Sequence, residues 1–109
     1  YDLGVAPDWW KLEPVEDAGF WTAAGHIVRA NDPHLQGIIV LGKEMPEEDL
    51  GRVLAMARTE PLVNGFAIGR TIFSKAAQAW FAGEIDDAAA QDMMTAVYGQ
   101  LIEAWDSAV

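Results

Sequence analysis

GIIVLGKEMPEEDLGRVLAMA, residues 37–57, changes its apolar period once, at Gly42. Before that point Gly37-Ile38-Ile39-Val40-Leu41 is an unbroken and largely β-branched run, the pattern of a strand covered on both faces. After it, Pro46 suits the first turn of a helix, and Glu47, Glu48 and Asp49 stand where the helix dipole favours negative charge. Leu50, Val53, Leu54 and Ala57 then recur at helical spacing, so a helix is expected over 46–58. A buried strand that passes within a few residues into an amphipathic helix is one βα unit of a parallel sheet.

The same unit lies on either side. Upstream, WWKLE at 9–13 reads as a strand entered through Pro7-Asp8 and stopped by Pro14, followed by a helix over 16–30. Downstream, VNGFAI at 63–68 reads as a third strand, and Gly69-Arg70-Thr71 turns straight into a helix carrying Phe73, Ala76, Ala77, Trp80 and Phe81. Gly83 closes that helix. Asp86 and Asp87 open a last one, in which Ala89, Met93, Ala96, Val97, Leu101, Ile102 and Trp105 fall near helical spacing. No repeat, low-complexity stretch or linker divides the units, so residues 1–109 form a single domain or part of one, of the α/β class. Three parallel strands leave two unpaired edges. Either further strand-helix units precede these, as the start at Tyr1 rather than Met suggests, or copies pair edge to edge, and a homo-oligomer is expected. Strand-helix alternation alone does not separate a segment of a closed barrel from a small doubly wound sheet.

Composition narrows the partners. With 51% hydrophobic and 22% charged residues the chain is globular, and no apolar run nears the roughly 20 residues that span a bilayer. Seventeen acidic against seven basic residues give a net charge of −10, which argues against nucleic acid or an anionic membrane as partner. Zero cysteines exclude disulfides and thiolate metal sites, and no signal segment opens the chain, so a cytoplasmic location is the default. His26 and His34 have no second histidine or cysteine at ligand spacing, so neither a metal nor a cofactor is expected.

Two features carry possible chemistry. In NGFAIGRTIF, 64–73, a strand ends at Gly69 and a helix starts almost at once, which presents free N–H groups and the positive end of a dipole to an anion. Arg70 adds a charge-assisted donor and Thr71 a hydroxyl. The preceding strand ends in Gly42-Lys43 on the same rim, so Lys43 could share a phosphate; equally, Gly69 could be a plain turn and Lys43 a solvated loop residue. The second feature is Lys11, in mid-strand, sharing a face with Trp9 and Glu13. Desolvation there would lower its pKa toward the neutral amine that attacks carbonyls, whereas a salt bridge to Glu13 is the structural alternative.

PDWWKLEP at 7–14, GIIVLGKEMPEEDL at 37–50, GFAIGRTIF at 65–73 and AWFAGEIDD from Ala79 together resemble one family across nearly the whole chain. It is the aldolase-like, DUF2090-type barrel domain attached behind the sugar kinase of bacterial myo-inositol catabolism, related to class I tagatose-bisphosphate-type aldolases. The resemblance implies that the three strands are the last three of a (β/α)8 TIM barrel, and that the parent cleaves 2-deoxy-5-keto-gluconate 6-phosphate by a metal-free Schiff-base route. It implies Lys11 as the imine-forming residue in its Lys11-Leu12-Glu13 setting, Glu13 as its charge partner, and Gly42, Gly69 and Arg70 as phosphate ligands. The acids and bases of the earlier strands are not in this chain, so it is expected to be inactive alone. A phosphosugar-binding module that regulates the kinase without catalysis is the alternative, and a purely structural piece that self-associates through its strand edges is the third.

Overall fold

The computed structural model describes residues 1–108 as a mixed α/β domain with a three-stranded parallel sheet and four helices. In chain order these are β1 (Trp9–Leu12), α1 (Ala18–Asn31), β2 (Gly37–Leu41), α2 (Glu47–Ala57), β3 (Val63–Ala67), α3 (Arg70–Phe81) and α4 (Asp87–Asp106). The strands lie in sequence order, β1-β2-β3, with Lys11 opposite Ile39 and Leu41 opposite Ala67. Sequential order with parallel pairing puts every strand's C-terminal end on one rim.

The elements begin where local chemistry directs. Asp17 caps α1, its carboxylate accepting from the Gly19 N–H at 2.7 Å, so the helix starts at Ala18, two residues later than its apolar pattern suggests. Asp86 caps α4 in the same way through the Ala89 N–H at 2.8 Å. Pro46 precedes the acidic first turn of α2. Arg52 on that helix donates to Glu16 at 2.8 Å and to Asp49 at 2.6 Å, tying α2 to the segment before α1, and these carboxylates raise its pKa, Glu16 the more.

One face of the sheet carries the core. Ile38 and Val40 are fully buried against Trp21 and Val28 of α1, Leu50, Val53, Leu54 and Ala57 of α2, and Leu101 of α4. Trp10, Leu12, Phe66 and Ile72 pack on the same cluster. Phe66 meets Tyr98 and Trp105 of α4 edge-on. Val63 and Phe66 share this face although they are three residues apart, because a bulge sets Ile38 opposite Val63 but Ile39 opposite Gly65 and leaves Asn64 between them.

The other face is bare. Trp9, Lys11 and Ala67 are exposed there, with Ile39 and Leu41 only partly covered. The expectation that β2 is buried on both sides therefore holds on one side only, since all four helices pack about the other. Along the unpaired side of β1 runs an apolar groove of about 340 Å3 between the strand and α1, lined by Tyr1, Trp10, Leu12, Phe20, Ile27 and Val28.

The sheet's N-terminal end is closed by charge. Glu60, 6% exposed, takes both guanidinium nitrogens of Arg29 and accepts the Leu62 N–H at 3.1 Å. Among the described residues no helix is long and apolar enough to cross a membrane.

Candidate functional site

At the C-terminal rim two strand-to-helix turns lie side by side. After β2 the chain runs through Gly42, buried, into Lys43 and Glu44 with φ of 52° and 61°, both left-handed. These two residues turn the chain tightly enough for the Met45 N–H to bond the Gly42 carbonyl at 3.0 Å. The residue after β3 leans on this turn: a Cβ at Gly42 would meet Ile68 Cγ2 at 3.1 Å. Gly69 then precedes α3, whose first turn has no side-chain cap, and its carbonyl accepts the N–H groups of Ile72 and Phe73. Helix geometry leaves the earliest N–H groups without an intrahelical acceptor, so those of Arg70 and Thr71 stay available to an anion.

The four residues expected to hold phosphate come together here. Gly42, Lys43, Gly69 and Arg70 line a single shallow depression of about 240 Å3, floored by Leu41 and Ala67. Both cations already have partners. Arg70 donates to Glu44 at 2.7 Å, and Lys43 pairs with Glu13 at 3.0 Å; all four side chains are more than half exposed. Thr71 differs from expectation, because its hydroxyl donates to the Met45 carbonyl at 2.8 Å. It fastens the start of α3 to the β2–α2 turn, and that proton is not on offer to a ligand.

Lys11 stands on the bare face, two residues below the rim by its register with Ile39. Two strand spacings and two residues of rise place its Cα about 12 Å from the end of β3. Glu13 does not serve as its charge partner, which corrects the expectation drawn from their shared face. The strand ends at Leu12, so Glu13 leaves the alternation and reaches across to Lys43. Burial of the Lys11 amine is also not found, since Lys11 is exposed on the open face. Trp9 lies instead over the backbone at Gly37.

Glu44 is the site residue that the sequence did not single out. Its approach to Arg70 depends on the left-handed turn, and no glycine or asparagine at 43 or 44 signals one. Beyond α3's first turn lies a larger cavity of about 650 Å3 between α3 and α4, lined by Glu47, Arg70, Lys75, Met93 and Val97 among others. No group of three or more His, Cys, Asp or Glu residues among those described could hold a metal ion.

The model of the family described as Uncharacterized protein conserved in bacteria (DUF2090) matches residues 1–109. No curated protein matches the chain, and no solved structure does.

Proposed function

This chain belongs to the DUF2090 family, and we propose that it supplies the last three strand-helix units, and the phosphate-holding rim, of a class I sugar-phosphate aldolase barrel. The observation that carries this reading is the convergence of Gly42, Lys43, Gly69 and Arg70 on one depression, on the rim that lies two residues above Lys11 by its register with Ile39. Sequential strand order with every helix on one side supports barrel membership, because the uncovered side, bearing Trp9, Ile39 and Leu41, is the one a closed barrel would fill. The apolar groove beside β1 suits a preceding unit.

In this reading the phosphate rests on the first-turn N–H groups of α3 and the guanidinium of Arg70. An extended lysine covers roughly half of the 12 Å to the rim, and a short carbon spacer between ketone and phosphate covers the rest. The Lys11 amine adds to the ketone carbon and the oxygen leaves as water, giving an iminium. Its nitrogen draws in the electron pair of the bond between the carbons α and β to it as that bond breaks, leaving an enamine. A general base frees the aldehyde product by taking its hydroxyl proton, the acid so formed returns a proton to the enamine carbon, and hydrolysis of the resulting iminium by water returns the lysine and the ketone product. The resemblance to the inositol-catabolism domain makes 2-deoxy-5-keto-gluconate 6-phosphate the substrate, cleaved to dihydroxyacetone phosphate and malonate semialdehyde.

Borohydride reduction of the protein that carries this chain with its upstream barrel units, in the presence of dihydroxyacetone phosphate, tests the assignment. Peptide mapping should find the added mass on Lys11. No label, or a label elsewhere, defeats it. One observation favours a second reading, a phosphosugar-binding module that regulates an attached kinase: Glu13, the nearest acid in sequence, is committed to Lys43 rather than to Lys11. That reading predicts phosphate protection of the Gly69–Thr71 amides without any trapped imine, and kinase activity that changes when this segment is deleted.

A further inference from the structure

We infer that Glu44 is a built-in competitor for the anion site, occupying the guanidinium of Arg70 until a phosphate displaces it. The inference rests on the phosphate reading above and adds a regulator to that site. Arg70 is the first residue of α3, and its Nη1 is held by Glu44 Oε1 at 2.7 Å. Both side chains border the depression that contains Gly42 and Gly69. A dianion seated on the first turn of α3 would therefore bring its charge against the Glu44 carboxylate, and the two cannot share one guanidinium edge without repulsion.

Displacement requires little reorganisation. Glu44 is 60% exposed, so its carboxylate can rotate into water while the left-handed backbone beneath it stays in place, fastened by the hydrogen bond from Thr71 to Met45. Lys43 and Glu13 repeat the arrangement on the β1 side, where both partners are also exposed. Each pair costs the ligand a share of its affinity, because a site competent for only a fraction of the time binds more weakly by that fraction. Exposed ion pairs are weak, which sets the expected size: removing the Glu44 charge should tighten phosphate roughly two- to fivefold. The consequence for a turnover site is faster release of a phosphorylated product than the bare helix terminus and guanidinium would allow.

The test is titration of the protein that carries this chain with its upstream barrel units, using inorganic phosphate at fixed ionic strength and followed by amide NMR at residues 69–71, in the wild type and in Glu44→Gln, Arg70→Ala, the double variant and Glu48→Gln. Glu48 removes the same charge from the exposed first turn of α2, outside the site. Tighter binding in Glu44→Gln but not in Glu48→Gln, with the gain lost in the Arg70→Ala background, supports the competitor. So does binding that appears only once Glu44 is neutralised. Phosphate shifts that weaken in Arg70→Ala but are unaltered in Glu44→Gln overturn the competitor and leave the phosphate site standing. Absence of shifts at 69–71 in every variant overturns the phosphate site and the competitor together.

Discussion

The carboxylate of Glu60 occupies the space that a side chain at Gly25 would need. Gly25 sits mid-helix in α1, one turn before Arg29, and a built Cβ there collides with both carboxylate oxygens. Glycine in a helix interior is unfavourable by about 1 kcal/mol relative to alanine, so propensity alone predicts that Gly25→Ala stabilises. Packing opposes it. Glu60 is buried and fixed by Arg29 and the Leu62 N–H, so it cannot move without breaking the ion pair that closes the sheet's N-terminal end. Gly25→Ala is expected to lower stability by about 2 kcal/mol in urea denaturation. An unchanged or higher midpoint would mean that the pair relocates freely.

Gly37 is confined on the opposite face. A Cβ there would strike the ring of Trp9 on one side and the amide of Asn64 on the other, the latter already donating to the Gln36 carbonyl at 3.0 Å. Gly37→Ala should destabilise by about 1–3 kcal/mol and shift the indole fluorescence as Trp9 is pushed off the sheet. The spectrum separates this from a general loss of strand stability, which Val40→Ala would cause without moving Trp9.

The strands and helices were legible because each strand is a short apolar run and each helix an amphipathic one, and the period changes at Gly42 and Gly69. The rim was legible for a topological reason: parallel strands in sequence order bring Gly42 and Gly69 to neighbouring turns whatever the side chains do. What stayed hidden depends on conformations that no local residue announces. Lys43 and Glu44 adopt left-handed backbone without glycine, and only that turn carries Glu44 to Arg70. Strand alternation put Glu13 beside Lys11, yet the chain leaves the sheet at Leu12 and alternation ceases to apply. The bulge at Asn64 was not read from the plain strand pattern of VNGFAI, although Asn-Gly inside a strand is a poor fit to a regular ladder.

Trp21 is the largest side chain that is fully buried, and its indole N–H reaches the Val15 carbonyl at 2.9 Å. It joins α1 to the segment that leaves β1. Trp21→Ala should cost about 3–5 kcal/mol, a large share of what so small a domain has. Trp21→Phe retains the apolar ring, loses the hydrogen bond and part of the volume, and should cost distinctly less. Thermal unfolding of the two variants checks the order; equal losses would show that the Val15 contact, and not the packing, is what matters.

Lys43 offers a way to separate backbone strain from charge at the rim. A residue with a Cβ in the left-handed region costs about 1–2 kcal/mol, and a β-branched one fits it worst. Lys43→Gly and Lys43→Val both remove the ion pair with Glu13, so the lost charge interaction cancels when the two are compared. The remaining difference reports the backbone: the glycine variant should be more stable than the valine variant by about 1–2 kcal/mol, measured by urea denaturation at matched salt. The glycine variant should also hold the β2–α2 turn closely enough for Thr71 to keep its bond to the Met45 carbonyl, whereas valine, by forcing Lys43's position out of its φ of 52°, should loosen it and speed hydrogen exchange at the start of α3. Equal stabilities would mean that the turn relaxes out of the left-handed region at little cost, and Glu44 would then have no fixed platform from which to reach Arg70.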